Sequence, residues 1–282
     1  MRPLDLDDLP RYTPWLHRLL GLEAFDQKVR TVEQIESEYN ADKFQRCLDL
    51  YEESGGTLSP FELRMRIDRI ALDEEADAIV DGALVLATLR ESNDRRNALM
   101  RDALADAAAR GDTILELGSA FGFNLDYLAG ELSGARFFGA DYSRNAITLA
   151  GKLFDGDGRF AFDTFNFYDD RYAVFDRIEG PATVLTAQAI EQTPSAAPLI
   201  AALKRDRERI SEVVQIEPDH GAHDPSTTTG ALRKRYGVLN DYNRDLVSLL
   251  ESDPDVELLE KSTNIIGFNA FNPLTRLRWR FR

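Results

Sequence analysis

Two stretches of the chain hold residue types spaced for chemistry. The first is Glu116-Leu117-Gly118-Ser119-Ala120-Phe121-Gly122, an apolar run ending in a glycine turn. Glycines there let a backbone approach a ligand with no Cβ in the way. About 20 residues on, Arg136-Phe137-Phe138-Gly139-Ala140 leads into Asp141, a carboxylate able to accept both hydroxyls of a ribose. A glycine turn alone can simply let a strand bend into a helix. Turn and aspartate together point to an adenosine-containing cofactor.

The second stretch offers acid–base groups and substrate contacts. Glu191 and Gln192 follow one apolar segment, and Glu217, Asp219, His220, His223 and Asp224 follow another in IEPDHGAHD. Glu191, Glu217 and His220 are the candidate bases. Gln192, Asp219 and His223, with Tyr242 and Asn243 further on, are candidate substrate contacts. Each glutamate also has a structural reading, Glu191 as a helix-start carboxylate and Glu217 as a backbone cap. The histidines have one too, as plain loop residues. Magnesium prefers carboxylates, and the loop at Gly221 supplies no rigid face for two imidazoles, so no metal is expected.

These residues need elements to position them. Apolar runs at 113–118, 136–141, 160–167, 182–187 and 211–218 read as strands, with helix-like segments between them. Such alternation implies a parallel sheet covered on both faces. Two further strands, 256–270 and 275–282, leave no room for a helix between them and so must turn antiparallel. The expectation is an α/β fold with a doubly wound, mostly parallel seven-stranded sheet and a C-terminal antiparallel hairpin. The glycine turn then follows the first strand and Asp141 ends the second, where ligands sit in such sheets. ALRKRYGVLNDYNRDLVSLLES reads as one helix carrying Tyr242 and Asn243. Arg276, Arg278, Arg280 and Arg282 alternate with Leu277, Trp279 and Phe281, the polar face of an outer strand in preference to an anion site.

Residues 1–91 read as an all-helical region, ahead of a sheet domain at 92–282. Gly55, Gly56 and Pro60 break the region, and Ser59 caps a helix starting at Pro60. FELRMRIDRIALDEEADAIVDGALVLATL reads as that helix, in one or two pieces. The extra helices supply either a lid or a contact between two copies of the chain. Tyr12, Trp15, Tyr39 and Arg64 are their candidate pocket residues.

The segment from Glu116 to Gly122 resembles the E/D-x-G-x-G-x-G motif of class I S-adenosylmethionine-dependent methyltransferases, with Ala120 at the middle glycine. The resemblance covers residues 92–282 and implies S-adenosylmethionine as cofactor and S-adenosylhomocysteine as product. It implies that Glu116 orients the cofactor's amino-acid end, that Gly118, Ala120 and Gly122 line its methionine part, and that Asp141 takes the ribose. Asn166 falls where that family places a polar contact to the adenine amine, with Phe167 beside it to pack on the ring. TAQAIEQTP is similar to the family's segment beside the transferring methyl. Position 120 is Ala and position 123 is Phe, so the G-x-G-x-x-G spacing of a nicotinamide dinucleotide site is absent.

Composition narrows the partners. A net charge of −15 and a pI near 4.7 argue against a nucleic-acid or anionic-membrane face. No apolar run approaches the roughly 18 residues of a bilayer span. MRPLDLDDLP lacks the apolar core of a signal peptide. Cys47 is the single cysteine, in a helix-like context that reads as packing, and fits a reducing cytoplasm. Acidic groups at the strand ends favour a cationic acceptor. The reading is a cytoplasmic enzyme that methylates a small polar metabolite or natural-product intermediate, at an amine or guanidine nitrogen in preference to a hydroxyl. A non-catalytic cofactor-binding subunit and an NAD-dependent oxidoreductase are the alternatives.

Overall fold

A computed structural model describes residues 1–68 and 71–282. The chain opens with a short strand, β1 (Arg2–Pro3), and a helix, α1 (Trp15–Leu20). Next, α2 (Val32–Ile35) runs through a π-helical stretch (Glu36–Phe44) into α3 (Gln45–Glu53), and α4 (Pro60–Asp68) follows. A hairpin of β2 (Glu75–Val80) and β3 (Ala83–Thr88) precedes the long α5 (Leu89–Arg110). The alternating part comprises β4 (Thr113–Leu117), α6 (Phe123–Glu131), β5 (Arg136–Asp141), α7 (Arg144–Leu153), β6 (Phe160–Thr164), β7 (Ala182–Ala187), α8 (Ala197–Arg205) and β8 (Ile210–Pro218). It is followed by α9 (Thr228–Leu239), α10 (Leu246–Ser252), β9 (Val256–Gly267) and β10 (Pro273–Phe281).

Local signals explain most boundaries. The Ser59 N–H donates to Glu62 Oε2 at 2.8 Å and the Glu62 N–H to Ser59 Oγ at 3.2 Å, a reciprocal cap that starts α4. Thr88 and Glu91 form the same box at the start of α5, and Gly111 ends that helix in the left-handed region.

Among the described residues all ten strands join one sheet, in the order β1-β3-β2-β9-β10-β8-β7-β4-β5-β6. The strands β8, β7, β4, β5 and β6 run parallel to one another. β10 is antiparallel to both β8 and β9. One face buries Leu115, Phe138, Val184 and Trp279 against Leu199, Leu203 and Leu250. The other buries Ile114, Phe137, Ile216 and Leu274 against Met100, Leu104, Leu125 and Leu128. A third cluster packs Phe44, Cys47 and Leu63 of the N-terminal helices on Phe121, Phe123 and Leu149, so Cys47 is a packing residue.

Four expectations need correction. The sheet has ten strands, not seven, and the segment 1–91 is not all-helical, because β1, β2 and β3 lie within it. Asp81 and Gly82 sit at φ 48° and 82°, both positive, which is the geometry of a tight antiparallel hairpin turn. The alanines flanking that turn suit a helix, and β9, more than 170 residues on, supplies the pairing that makes β2 a strand. Finally, α9 ends at Leu239 and α10 begins at Leu246, so Tyr242 and Asn243 lie in a loop and not on a helix. The boundary expected at residue 91 falls inside α5.

The arginine stripe is paired: Arg276 with Glu260, Arg278 with Glu212 and Arg280 with Glu257. Opposite it Trp279 is fully buried, its indole N–H donating to Gln215 Oε1 at 2.9 Å. Trp279→Ala should destabilise the chain by about 3–5 kcal/mol through cavity formation. A lowered urea midpoint at unchanged m would record it.

Candidate functional site

A cavity of about 280 Å³ opens at the carboxyl ends of β4, β5 and β7. It lies at the lower edge of ligand pockets, which run roughly 300–1,000 Å³. Gly118, Ala120, Asp141, Asn166, Phe167, Glu191 and Gln192 line it, seven of the residues singled out from sequence. Its roof comes from the N-terminal segment, through Val32, Ile35, Tyr39, Lys43, Phe44 and Arg64.

The floor is the turn after β4. Gly118 adopts φ 81°, and a Cβ there would lie 2.5 Å from the Ala189 Cβ. Only glycine lets the loops after β4 and β7 meet. Gly122, at φ 86°, faces away from the cavity; a Cβ there would meet the Phe154 ring at 2.8 Å. Ala120 is held at φ 50°. Its N–H donates to Asp141 Oδ2 at 2.7 Å, and the Ser143 N–H donates to Asp141 Oδ1 at 2.8 Å. Burial pushes the Asp141 carboxyl up to about 6, against the pull of those two bonds. Asn166 Oδ1 accepts the Tyr168 N–H at 3.0 Å, which fixes the turn that presents its amide and Phe167.

Arg96 lines one end of the cavity, and Glu116 is buried behind it. Glu116 Oε1 accepts the Asn124 amide at 2.6 Å, and Asn124 Oδ1 accepts Arg96 Nη2 at 2.7 Å. Arg96 Nη1 also reaches Gln188 Oε1 at 3.5 Å. Among the described residues, Glu116 Oε2 and Arg96 Nε are buried with no partner. Burial raises the Glu116 carboxyl to about 7, opposed by Asn124 and Arg96. Burial, with the nearby charge of Arg64, lowers Arg96 to about 10. A free acceptor and a free donor of opposite charge, both desolvated, fit a zwitterionic group. Sequence reading missed Arg96, since one arginine on an amphipathic helix carries no mark of burial.

At the other end lies the loop after β7. Glu191 is 6% exposed, and its carboxyl accepts from Gln192 Nε2 at 3.0 Å and Asn272 Nδ2 at 3.3 Å. Burial and the neighbouring Glu217 push it well above the usual carboxyl range. Gln192 Oε1 is a buried acceptor with no partner among the described residues.

The remaining candidates stand behind the cavity wall. Glu217 accepts the N–H groups of Ala189 at 3.0 Å and Ile190 at 3.2 Å, so it holds the loop that presents Glu191. Asn243 donates its N–H to the Glu191 carbonyl at 3.0 Å and accepts the Leu246 N–H on Oδ1 at 3.0 Å, starting α10. His220 is 1% exposed, stacked on Tyr242 with ring centroids 5.6 Å apart and packed where Gly237 has no Cβ. Burial holds it neutral, lowered to about 3. His223 is likewise pushed down to about 4 by burial, and Asp219 accepts the Ala222 N–H in the same loop. Of the four N-terminal candidates, Tyr39 and Arg64 line the cavity; Tyr12 and Trp15 pack in a separate cluster with Tyr236. No group of three or more His, Cys, Asp or Glu side chains is placed to hold a metal among the described residues. No helix there is long and apolar enough to cross a membrane.

No family model and no curated protein matches the sequence. Solved structures that align with it include a magnesium protoporphyrin IX methyltransferase from Synechocystis PCC 6803 with bound SAH, at 13% identity over 69% of this chain and 87% of that one, TM-score 0.47. Another is an N-methyltransferase from Bradyrhizobium japonicum WM9 in complex with S-adenosyl-L-homocysteine, at 14% identity over 67% and 86%, TM-score 0.46. A third is a mitomycin 7-O-methyltransferase, at 14% identity over 96% and 69%, TM-score 0.48. At these values the reading of the site rests on its own residues.

Gly118→Ala should cost about 2–5 kcal/mol, from the left-handed backbone and the clash with Ala189 together. Gly130→Ala, in α6 with open space around it, should instead stabilise by about 0.5–1 kcal/mol. Paired urea titrations of the two variants check the contrast.

Proposed function

We propose that the chain is an S-adenosylmethionine-dependent methyltransferase acting on an amine or guanidine nitrogen of a small polar molecule. One observation carries the reading. Asp141 and Arg96 line one cavity, and Glu116, buried behind its wall, is joined to Arg96 through Asn124, a set that complements a ribose and an amino-acid end. When bound, the cofactor supplies a methyl group already activated on a sulfonium. Gly118, Ser119 and Ala120 would line it, and Asn166 and Phe167 would meet the adenine.

The chain's own task is to orient an acceptor and take one proton. Glu191 and Gln192 Oε1 present hydrogen-bond acceptors side by side in the cavity wall. An acceptor nitrogen with several N–H groups brings the donor that Gln192 Oε1 lacks and a further one for Glu191, whereas a hydroxyl brings one. The upward-shifted Glu191 carboxyl suits receipt of the released proton near neutral pH. Glu217 and Asn243 position that loop and touch no reactant. The N-terminal roof serves as a lid that excludes water and favours a small acceptor. The acidic chain with its single buried cysteine suits a cytoplasmic enzyme that binds no nucleic acid.

Titration calorimetry with S-adenosylhomocysteine and NAD tests the reading, and only the first should bind. Binding an ammonium needs Glu116 ionised, and its carboxyl sits at about 7 in the free chain. Below that pH a proton must leave first, so affinity should rise about tenfold from roughly pH 6 to 8. Binding of NAD alone, or of neither ligand, would refute the assignment. Binding without turnover on any amine or hydroxyl would favour a non-catalytic subunit. Glu191→Gln should lower kcat by roughly 10²–10⁴ while leaving S-adenosylhomocysteine affinity unchanged. An unchanged kcat would remove Glu191 from the chemistry.

A further inference from the structure

Behind Glu191 lies a buried polar chain that methyl transfer does not itself use. Asn272 is 7% exposed, and its Nδ2 donates to Glu191 Oε2 at 3.3 Å. The other atom of that amide, Oδ1, is buried with no partner among the described residues. His220 stands next in line. Both of its ring nitrogens are buried without a full hydrogen bond among the described residues, and the Asn272 side chain and Arg233 backbone lie against the ring. Polar atoms buried unbonded cost free energy. A neutral imidazole carries one N–H, and the Asn272 oxygen is an acceptor without a donor, so one bond satisfies both. Neither side chain has room to turn. The Asn272 loop is held by the Ala270 N–H on Asp77 Oδ2 at 2.7 Å and by Arg233 Nε on the Ala270 carbonyl at 3.1 Å. The His220 ring is stacked on Tyr242, and α9 crosses it at Gly237, where a Cβ would lie 2.7 Å from the imidazole Cγ.

We propose that His220 is a positioning residue that acts on Glu191 through Asn272: its ring N–H donates to Asn272 Oδ1 and so keeps Nδ2 turned toward the Glu191 carboxylate. The role rests on the reading of Glu191 as the group that takes the released proton. An amide can face a carboxyl either way round. Nδ2 inward favours the ionised carboxylate, whereas Oδ1 inward favours the acid. Burial and the Glu217 carboxyl already press Glu191 toward its acid form, while Asn272, Gln192 and Arg30 oppose them. The phenols of Tyr39, Tyr236 and Tyr242 also face Glu191, from the roof, α9 and the loop before α10. Glu191 can serve as a base near neutral pH only while the amide stays in the first orientation. Burial, His223 and Arg244 all disfavour a charged His220 ring, against the Asn272 side chain and the Arg233 backbone. The ring therefore stays neutral around neutral pH, and the hold on Asn272 does not titrate with the base it serves.

The test is a carbon-13 titration of the glutamate carboxyls in the full chain, with Glu191→Gln assigning the Glu191 signal. It needs neither cofactor nor acceptor. His220→Leu should raise the Glu191 midpoint by about 1–2 pH units. His220→Asn or His220→Gln, whose side-chain N–H replaces one or other ring N–H, should recover the parent midpoint. Asn272→Leu should shift the midpoint as His220→Leu does, and the double variant should shift it no further. Imidazole nitrogen-15 spectra leave His220 itself intact and so hold even if His220→Leu does not fold. One tautomer of the parent ring should dominate near neutral pH, and its share should fall in Asn272→Leu. An unchanged midpoint in His220→Leu, shifts that simply add in the double variant, or an unchanged tautomer in Asn272→Leu overturns the proposal. A chain that shows these shifts but binds no S-adenosylhomocysteine keeps the bonds and overturns the proposed function instead.

Discussion

The Asp141 carboxylate, buried at the end of β5, accepts the Ala120 N–H from one loop and the Ser143 N–H from the next. Ala120 sits in the left-handed region, which costs a non-glycine residue roughly 1–2 kcal/mol. The bond to Asp141 holds it there and sets the shape of the cavity floor. Ser143 caps α7 through Ala146, and its hydroxyl donates to Asn40 Oδ1 on the π-helical stretch. One carboxylate thus ties together the turn after β4, the start of α7 and the roof.

A second buried carboxylate does the corresponding work on the other side. Glu217, at the end of β8, accepts backbone N–H groups from the loop after β7. That loop bears Glu191 and Gln192. Burial drives Asp141, Glu116, Glu191 and Glu217 all upward, since desolvation penalises the ionised form more than their hydrogen bonds favour it. Four desolvated carboxyls, two lining the cavity and two behind its wall, are a costly arrangement for a merely structural end of a sheet. Perturbed groups gathered in a cleft mark functional sites instead.

The roof is built from elements with little stability of their own. α2 spans four residues, and the nine-residue π-helical stretch has the rarer hydrogen-bond pattern that recurs at functional sites. Arg30 anchors the roof from outside, its guanidinium Nε donating to the Asn240 carbonyl and its N–H to Asp241 Oδ2. The same side chain lies over the Tyr242 ring. Tyr242, a candidate substrate contact by its chemistry, and His220, a candidate base, therefore brace the roof's anchor.

Much of this was legible in the chain because its signals are local. The strand at 136–141, the strand at 182–187, the Ser59 cap and the Gly118 turn each follow from a few consecutive residues and the backbone angles they allow. The hairpin at Glu75–Thr88 was not legible, because its alanines suit a helix equally well and β9 decides between them. Nor could the sequence separate Glu191 in the cavity from Glu217 behind it, since both are carboxyls at strand ends. By itself the sequence determined the alternating α/β pattern, the glycine turn and the aspartate that follows it. Only the tertiary structure decided which charges share a desolvated space. Arg96 and Glu116 come from two separate elements, and burial, which no local pattern records, gives them their chemistry.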